Sequence, residues 1–297
     1  MASAGTKGQL AVKRAFSSSD LVVLTITFVV FFLVSAGYFI IQYFSDVGHS
    51  TDPTVVIMAG LIGTAIGAIL LFAGALLVGM FMIRMQRQAM LGNSLQIEYS
   101  AYAWLRDWAN QVSADLELPR VEIFVTQDPV INAYSFGFIR PYTIVLQSGT
   151  IRYLTQDEIR VVLAHEMAHI KYGHVNASVY LLPFMSFPVI GAVFTWLAGF
   201  WHRRTEFTAD RLALMYMADS ELVKAALIKV YVGPDVASSM NDIARQWQQY
   251  TAERPMNHLA QTFSDHPFLV RRLSQIDAWK HVVEPAPTPP QSPPPAA

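Results

Sequence analysis

The sequence predicts an α+β chain, mainly helical with a small β-sheet, preceded by a hairpin of two membrane-spanning helices. Three observations predict it. Two long uncharged runs open the chain, two short β-branched runs follow them, and most of the rest repeats its apolar residues at helical spacing.

The composition bounds the function before any motif is read. Of 297 residues, 53% are apolar and only 14% are charged, which is too apolar for an ordinary soluble domain, so part of the surface is expected to face lipid. The formal net charge of −1, with no Lys/Arg run interleaved with aromatics, excludes nucleic acid as a partner. Cysteine is absent, so there are no disulfides or thiolate ligands, and any metal must be held by His, Asp or Glu.

Residues 1–20 read as a basic tail carrying Lys7, Lys13 and Arg14. Leu21 to Phe44 and Thr54 to Ile83 are each long enough, at ~1.5 Å per residue, to cross ~30 Å of hydrocarbon. Together they make a transmembrane hairpin over residues 21–83, with Gly63 and Gly67 four apart where two helices can approach closely. The bulky stretch "YFIIQYFSDVGHSTD" lacks a small-residue cleavage site, so no signal peptide is expected. Lys7, Lys13 and Arg14 precede the first span, Arg84 and Arg87 follow the second, and the loop carries Asp46 and Asp52. Retention of positive charge in the cytoplasm then places both flanks, and the domain at 84–283, on the cytoplasmic side. The last fourteen residues, 284–297, hold seven prolines and read as a disordered tail.

Within 84–283, "YAWLRDWANQVSADL" has helical periodicity and predicts a helix from Gln96 to Leu116, stopped by Leu118-Pro119. "VEIFVT" and "YTIVLQ" predict two strands. Thr155, with Glu158 three residues later, is a capping box that opens a helix. Further helices are expected at about 204–219 and 220–232.

The capped helix contains "LAHEMAHIKYGH". Residues i and i+4 share a helix face, so His165 and His169 can turn ring nitrogens toward one ion, with Glu166 placed to reach a water on it. A catalytic zinc takes three protein ligands, and "RRTEFTADRLAL" supplies Glu206 as the third. Asp210, four residues on, falls on the same face and can accept a hydrogen bond from the outer nitrogen of a ligand histidine. The alternative for this pair is a solvated helix surface paired with Arg203, Arg204 and Arg211. His202 competes as third ligand but borders an apolar run. His174, five residues beyond His169 and so ~140° round the helix, is expected to face away from the ion as a structural residue.

"INAYSFG" (131–137), "VVLAHEMAHI" (161–170), "EFTAD" (206–210) and "DHPFLVRRL" (265–273), in that order, resemble the HtpX-type integral-membrane zinc metallopeptidases, relatives of the prenyl-protein proteases. The likeness covers roughly residues 97 to 280. It implies a zincin-like metallopeptidase domain that binds one zinc ion through His165, His169 and Glu206, with Glu166 as general base. It also implies substrate-binding residues at Asn132, Ala133 and Tyr134 of an edge segment and at Arg272, the arginine that goes with the His-Pro element at His266 and Pro267. His266 is either a donor to the developing oxyanion or a residue that merely starts a helix. The resemblance further implies a multi-pass protein of the bacterial plasma membrane that hydrolyses polypeptides, misfolded or membrane proteins among them. Prenyl-protein processing is the alternative, and a catalytically silent scaffold is a rival of another class.

One departure is informative. The resembled family has two long apolar stretches between HExxH and the glutamate ligand, whereas here only Val175 to Trp201 is uncharged. A single crossing would separate His169 from Glu206 by ~30 Å, yet both must touch one ion. Residues 175–201 are therefore expected to form a re-entrant or interfacial helical hairpin bent at Pro183 and Pro188.

Overall fold

A computed structural model of the chain describes residues 4–46, 52–138, 140–185, 190–240, 247, 250–262, 264 and 266–283. The proline-rich stretch 284–297 lies outside the described residues, as does Pro188.

The segment read as a basic tail contains a helix. Helix α1 (Ala4–Ala15) docks on the C-terminal domain with Ala11 and Ala15 buried. The Tyr172 hydroxyl donates to the Val12 carbonyl at 2.9 Å, and Arg211 Nε donates to the Ala15 carbonyl at 3.2 Å. Gly8 makes the approach feasible, because a Cβ there would lie 2.2 Å from the Asp115 carbonyl oxygen.

Helices α2 (Ser18–Asp46) and α3 (Pro53–Asn93) follow. Among the described residues, one helix segment is long and apolar enough to cross a membrane, Ile57–Asn93, while Ser18–Val30 is a shorter apolar stretch. Asp52 caps α3 by accepting from the Thr54 amide at 3.0 Å. The helix continues ten residues past Ile83, far enough for Arg87 to pair with Glu122 at 2.6 Å.

The sheet has four strands in the order β1 (Leu95–Gln96), β2 (Val121–Thr126), β4 (Tyr142–Gln147), β3 (Ala133–Phe136). The two predicted strands are β2 and β4, paired in parallel with Val121 opposite Tyr142. Thr143 through Leu146 of β4 are all buried, as expected of a strand covered on both faces. β3 runs antiparallel to β4, Ala133 opposite Leu146, and leaves its other side as an edge.

The helix expected from Gln96 begins later, as α4 (Ala103–Asp115), after a short 3-10 turn at Ile97–Tyr99. The Ser100 hydroxyl accepts from the Tyr102 amide at 3.1 Å and donates to the Ile97 carbonyl at 3.0 Å, a local turn that competes with helix.

After the short α5 (Ser148–Tyr153) comes α6 (Gln156–Lys171), opened by the predicted capping box: Thr155 Oγ1 accepts from the Glu158 amide and Glu158 Oε2 from the Thr155 amide. Gly173, at φ +72°, ends that helical path, and α7 (His174–Met185) starts in a new direction. α8 (Ile190–Met217) was expected to start near 204 but is one 28-residue helix that joins the apolar run to the carboxylate-bearing turns. α7 and α8 pack on each other. Ala177 and Leu181 of α7 with Phe194, Ala198 and Trp201 of α8 form a second core, against Val23, Leu24 and Phe28 of α2 and Phe72 of α3. Pro183 lies inside α7.

α9 (Ser220–Val232) matches its prediction; Asp219 caps it by accepting from the Leu222 amide at 2.9 Å. Next come α10 (Pro234–Ser238), α11 (Pro255–Thr262) and α12 (Leu269–Val283). The main core lies where α4, α6, α8 and α9 meet the sheet, built on Leu105, Val112, Ile144, Leu163, Met167 and Leu212.

Candidate metal centre

α6 and α8 cross with their polar faces together. His165 and His169 stand one turn apart on α6, and Glu206 faces them from α8. His165 Nε2 lies 3.2 Å from His169 Nε2 and 3.4 Å from Glu206 Oε2, and His169 Nε2 lies 3.6 Å from Glu206 Oε1. Donor atoms of all three fall within 4.8 Å of one another, close enough to share one cation. Two histidine nitrogens and one carboxylate oxygen suit a borderline ion such as zinc.

The atoms behind these donors fix their orientation. His165 Nδ1 lies 3.0 Å from Asp210 Oδ1, and His169 Nδ1 lies 3.1 Å from His174 Nδ1, so each Nε2 is left for the centre. Arg272, 5% exposed, forks onto Asp210 at 2.7 and 2.5 Å and reaches Glu206 Oε2 at 3.0 Å. It also donates to the Tyr231 hydroxyl at 3.1 Å. The solvated-surface alternative for Glu206 and Asp210 is excluded, since both are buried and the three nearby arginines face other partners. Arg203 donates to the Ser264 carbonyl, Arg204 contacts Ser19 and Asp20, and Arg211 bonds the Ala15 carbonyl.

The electrostatics favour a cation here. Burial alone would raise Glu206 and Asp210, but Arg272 and His165 hold both below the usual carboxylate range. Burial pushes His165 down, yet Asp210 and Glu206 outweigh it and raise the imidazole to about 10. Burial lowers His169 well below its ordinary value. The field that keeps a proton on His165 is the field that would attract a metal ion.

Glu166, 8% exposed, is raised by burial and accepts a hydrogen bond from the Ser135 hydroxyl on β3. A cavity of about 350 Å³ opens beside it, bordered by Asn132 and Ala133 of the edge strand and by His266. His266 Nδ1 points to Glu206 Oε1 at 3.5 Å while most of its ring is exposed. Of the edge segment, Tyr134 turns elsewhere: it stacks on Phe136 at 6.2 Å and bonds Gln86 of α3. Asn132 Oδ1 accepts from the Ala133 amide at 2.9 Å, the local cap that competes with a purely substrate-facing role. Arg272, expected to bind substrate, borders the cavity but directs its guanidinium to Asp210, Glu206 and the Tyr231 hydroxyl. His202 is outside the donor group and lies against Trp201, ring centroids 4.9 Å apart.

Sequence reasoning missed three contributors. His174 does not face away: because Gly173 breaks the helix, the 100° step per residue no longer applies, and the ring returns to His169. Glycine at a helix end in "KYGH" was the available signal. Ser135 shares a strand face with Ala133, so alternation along "INAYSFG" pointed to it. Tyr231, on α9, carried no local signal.

Comparison with known proteins matches residues 99–280 to the model of peptidase family M48. The plastoglobule-localized metallopeptidase 48 of Arabidopsis thaliana chloroplasts is 28% identical over 214 residues, covering 65% of this chain and 62% of that protein. A protease HtpX homolog of Bacteroides fragilis is 24% identical over 212 residues, 57% of this chain and 65% of the relative. The protease HtpX of Pasteurella multocida is 25% identical over 205 residues, 56% of this chain and 69% of the relative. The chain thus spans less than two thirds of the length of the Arabidopsis and Bacteroides proteins. The crystal structure of S. mikatae Ste24p aligns at a TM-score of 0.39 and 18% identity, over 75% of this chain and 65% of that one, too low to compare the two site by site. The matched span takes in more than half of the chain, from just after β1 through HExxH and past Arg272. The chain therefore belongs to peptidase family M48, the metallopeptidases that include the HtpX-type proteases.

Proposed function

We propose that the chain is a membrane-bound zinc metalloendopeptidase with Glu166 as general base, acting on misfolded or membrane proteins in quality control. The observation that carries this reading is the approach of His165, His169 and Glu206 to within 4.8 Å, with buried Glu166 beside them on a cleft edged by β3. Three protein donors are the number a catalytic zinc takes when one position is kept for water. A zinc ion held there supplies a polarised carbonyl and a water whose pKa falls toward ~7.

The chain's own groups do the rest. Burial raises the proton affinity of Glu166, which suits a side chain that takes a proton from water and delivers it to the leaving amine. The Ser135 hydroxyl holds that carboxylate against β3. With Nδ1 turned to Glu206, His266 offers Nε2 to a developing oxyanion at the cleft mouth. The unpaired side of β3 holds an extended peptide by main-chain hydrogen bonds that read no sequence, which fits unfolded substrates.

Membrane attachment rests on the apolar segment Ile57–Asn93 and on exposed apolar residues along α2 and α3, such as Val29, Leu33, Ile66, Ile69 and Leu70. The contact of α1, which precedes these helices, with the domain that follows them supports a hairpin with both ends on one side. The basic residues at both ends make that side the cytoplasm, in a bacterial plasma membrane. The test is zinc analysis with casein cleavage and autocleavage by the detergent-purified protein, beside its Glu166→Gln variant. One zinc per chain and activity lost in the variant are expected; a zinc-free wild type, or an active variant, would overturn the reading.

A further inference from the structure

β3 finishes at Phe136 and β4 begins at Tyr142, and the chain turns between them beside α3. Gly137 permits that turn: its φ is +149°, and a Cβ there would lie 2.8 Å from the Tyr142 ring. Phe136, Phe138 and Pro141 line a narrow cleft with Met80, Ile83 and Arg84 of α3. Phe138 also meets Tyr180 of α7 edge-on, ring centroids 5.1 Å apart, and the Tyr142 hydroxyl donates to Asn176 Oδ1 of α7 at 3.2 Å. The turn is therefore held between α3 and α7, far from the metal-bearing face of α6.

The sequence of α3 sets the depth of this cleft. No charged residue stands between Asp52 and Arg84, and Met80 lies ~6 Å before Arg84 along the helix. The cleft thus opens where an uncharged span gives way to charge, the level of lipid headgroups. Phe81, the i−3 neighbour of Arg84, and Val78 are 62% and 61% exposed, an apolar track leading from the arginine toward the middle of the span. Two of the arginines at this end of the sheet are already matched: Arg87 pairs with Glu122 at 2.6 Å, and Arg120 with Glu98. Arg84 and Arg140 are exposed and form no ion pair with any described residue.

We propose that Arg84 and Arg140 hold the headgroup of an anionic phospholipid of the cytoplasmic leaflet at the β3–β4 turn, with an acyl chain laid along Val78 and Phe81 of α3. This rests on the membrane reading above and adds a ligand to it. A guanidinium presents paired donors that match phosphate oxygens, and an anionic leaflet supplies phosphate at this depth. A soluble anion would gain from the arginines alone, whereas a lipid also covers the exposed apolar track, which favours the lipid. The turn is the end of β3, and Tyr134 of that strand bonds Gln86 of α3, so a lipid bound here ties the edge strand to the span.

The experiment offers the full detergent-solubilised chain phosphatidylglycerol and phosphatidylcholine with the same acyl chains, the adducts being counted by native mass spectrometry. Phosphatidylglycerol should be retained at least ~10-fold over phosphatidylcholine, each arginine near an anionic headgroup contributing ~5-fold. Arg140→Gln should lower that ratio ~5-fold, and the double variant Arg84→Gln/Arg140→Gln should abolish it; both positions are exposed, so the variants should fold. Arg152→Gln, an exposed position in α5 past the other end of β4, should leave the ratio unchanged. Equal retention of the two lipids, a preference that survives in the double variant, or one that Arg152→Gln lowers as much would overturn the lipid site. Displacement of the lipid by inorganic phosphate at equal concentration would assign the arginines to a soluble anion and overturn it as well. In parallel, membranes carrying the wild type are washed with alkaline carbonate. Release of the protein would sink the membrane reading and the lipid site with it, whereas retention with a failed lipid preference would sink the lipid site alone.

Discussion

His174 Nδ1 lies 3.1 Å from His169 Nδ1, across the break that Gly173 makes between α6 and α7. One ring must donate and the other accept; with His169 Nε2 turned to the metal centre, its Nδ1–H donates to His174. Trp201 packs edge-on against His174 at 5.9 Å, so the apolar α7–α8 pair holds the partner of a metal-side histidine. His174→Ala should weaken zinc binding by ~10–100-fold in competition with a chromogenic chelator, and His174→Asn, which keeps an acceptor, should recover part of it. Equal affinity in all three proteins would reduce the contact to packing.

Glu166→Gln should keep one zinc per chain and lose at least ~10³ of the peptidase rate, since a positioned general base contributes ~10²–10⁴. Its carboxylate is buried against Ser135, and glutamine has the same shape, so folding should be retained. A variant with full activity would show that the proton is taken elsewhere.

Glu206→Ala leaves two protein donors and should lose the metal outright. Asp210 acts through His165, so its removal should cost ~10–100-fold in affinity. Alanine there would also strip the buried Arg272 of its bidentate partner, a change worth ~3–5 kcal/mol in stability. Asp210→Asn is therefore the cleaner variant. Equal zinc content in the Glu206 and Asp210 variants, by atomic absorption, would refute this division of roles.

Ala133→Pro tests the edge strand. The Asn132 carbonyl accepts from the Gln147 amide across the sheet, so the next residue turns its main chain outward, where the Ala133 amide donates to the Asn132 side chain. Proline at an outward edge position removes no ladder bond, and the protein should stay folded and zinc-loaded. KM for peptides should rise sharply; normal cleavage would place the substrate elsewhere.

Topology is open to labelling because the native chain has no cysteine. Single cysteines near Lys13 and near Ser274 should both react only from the cytoplasmic side of inverted vesicles. Opposite accessibility would break the hairpin model.

What was legible in the sequence were features enforced by local rules. β-Branched runs gave β2 and β4, the Thr155 capping box gave the start of α6, and i,i+4 spacing gave His165 with His169 and Glu206 with Asp210. What was not legible came from tertiary contact or from breaks in periodicity. The docking of α1 depends on a close approach at Gly8 to a residue over a hundred positions away. The start of α8 was misplaced because an apolar stretch and a polar, charged one were read as separate elements, although no glycine or proline lies between Phe200 and Glu206. Tyr231 reaches the centre from an element whose own sequence carries no chemical signature, and Ser135 was signalled by strand alternation alone.

The continuity of α8 has a mechanical consequence. Its 28 residues form a rod about 42 Å long, and Trp201 and Glu206 sit only ~7.5 Å apart along it. A tilt of ~5° pivoting at Trp201 would swing Glu206 by ~0.6 Å, beyond the ~0.2 Å tolerance of metal–ligand distances. The apolar end of α8 is thus the long arm of a lever and Glu206 the short one, steadied by how firmly Ala177, Leu181 and Phe194 stay wedged together. Solvents that splay α7 from α8 would loosen the grip on the ion while the sheet and the capped helix remain intact, so the surroundings of the apolar pair set the mechanical stiffness of the metal centre.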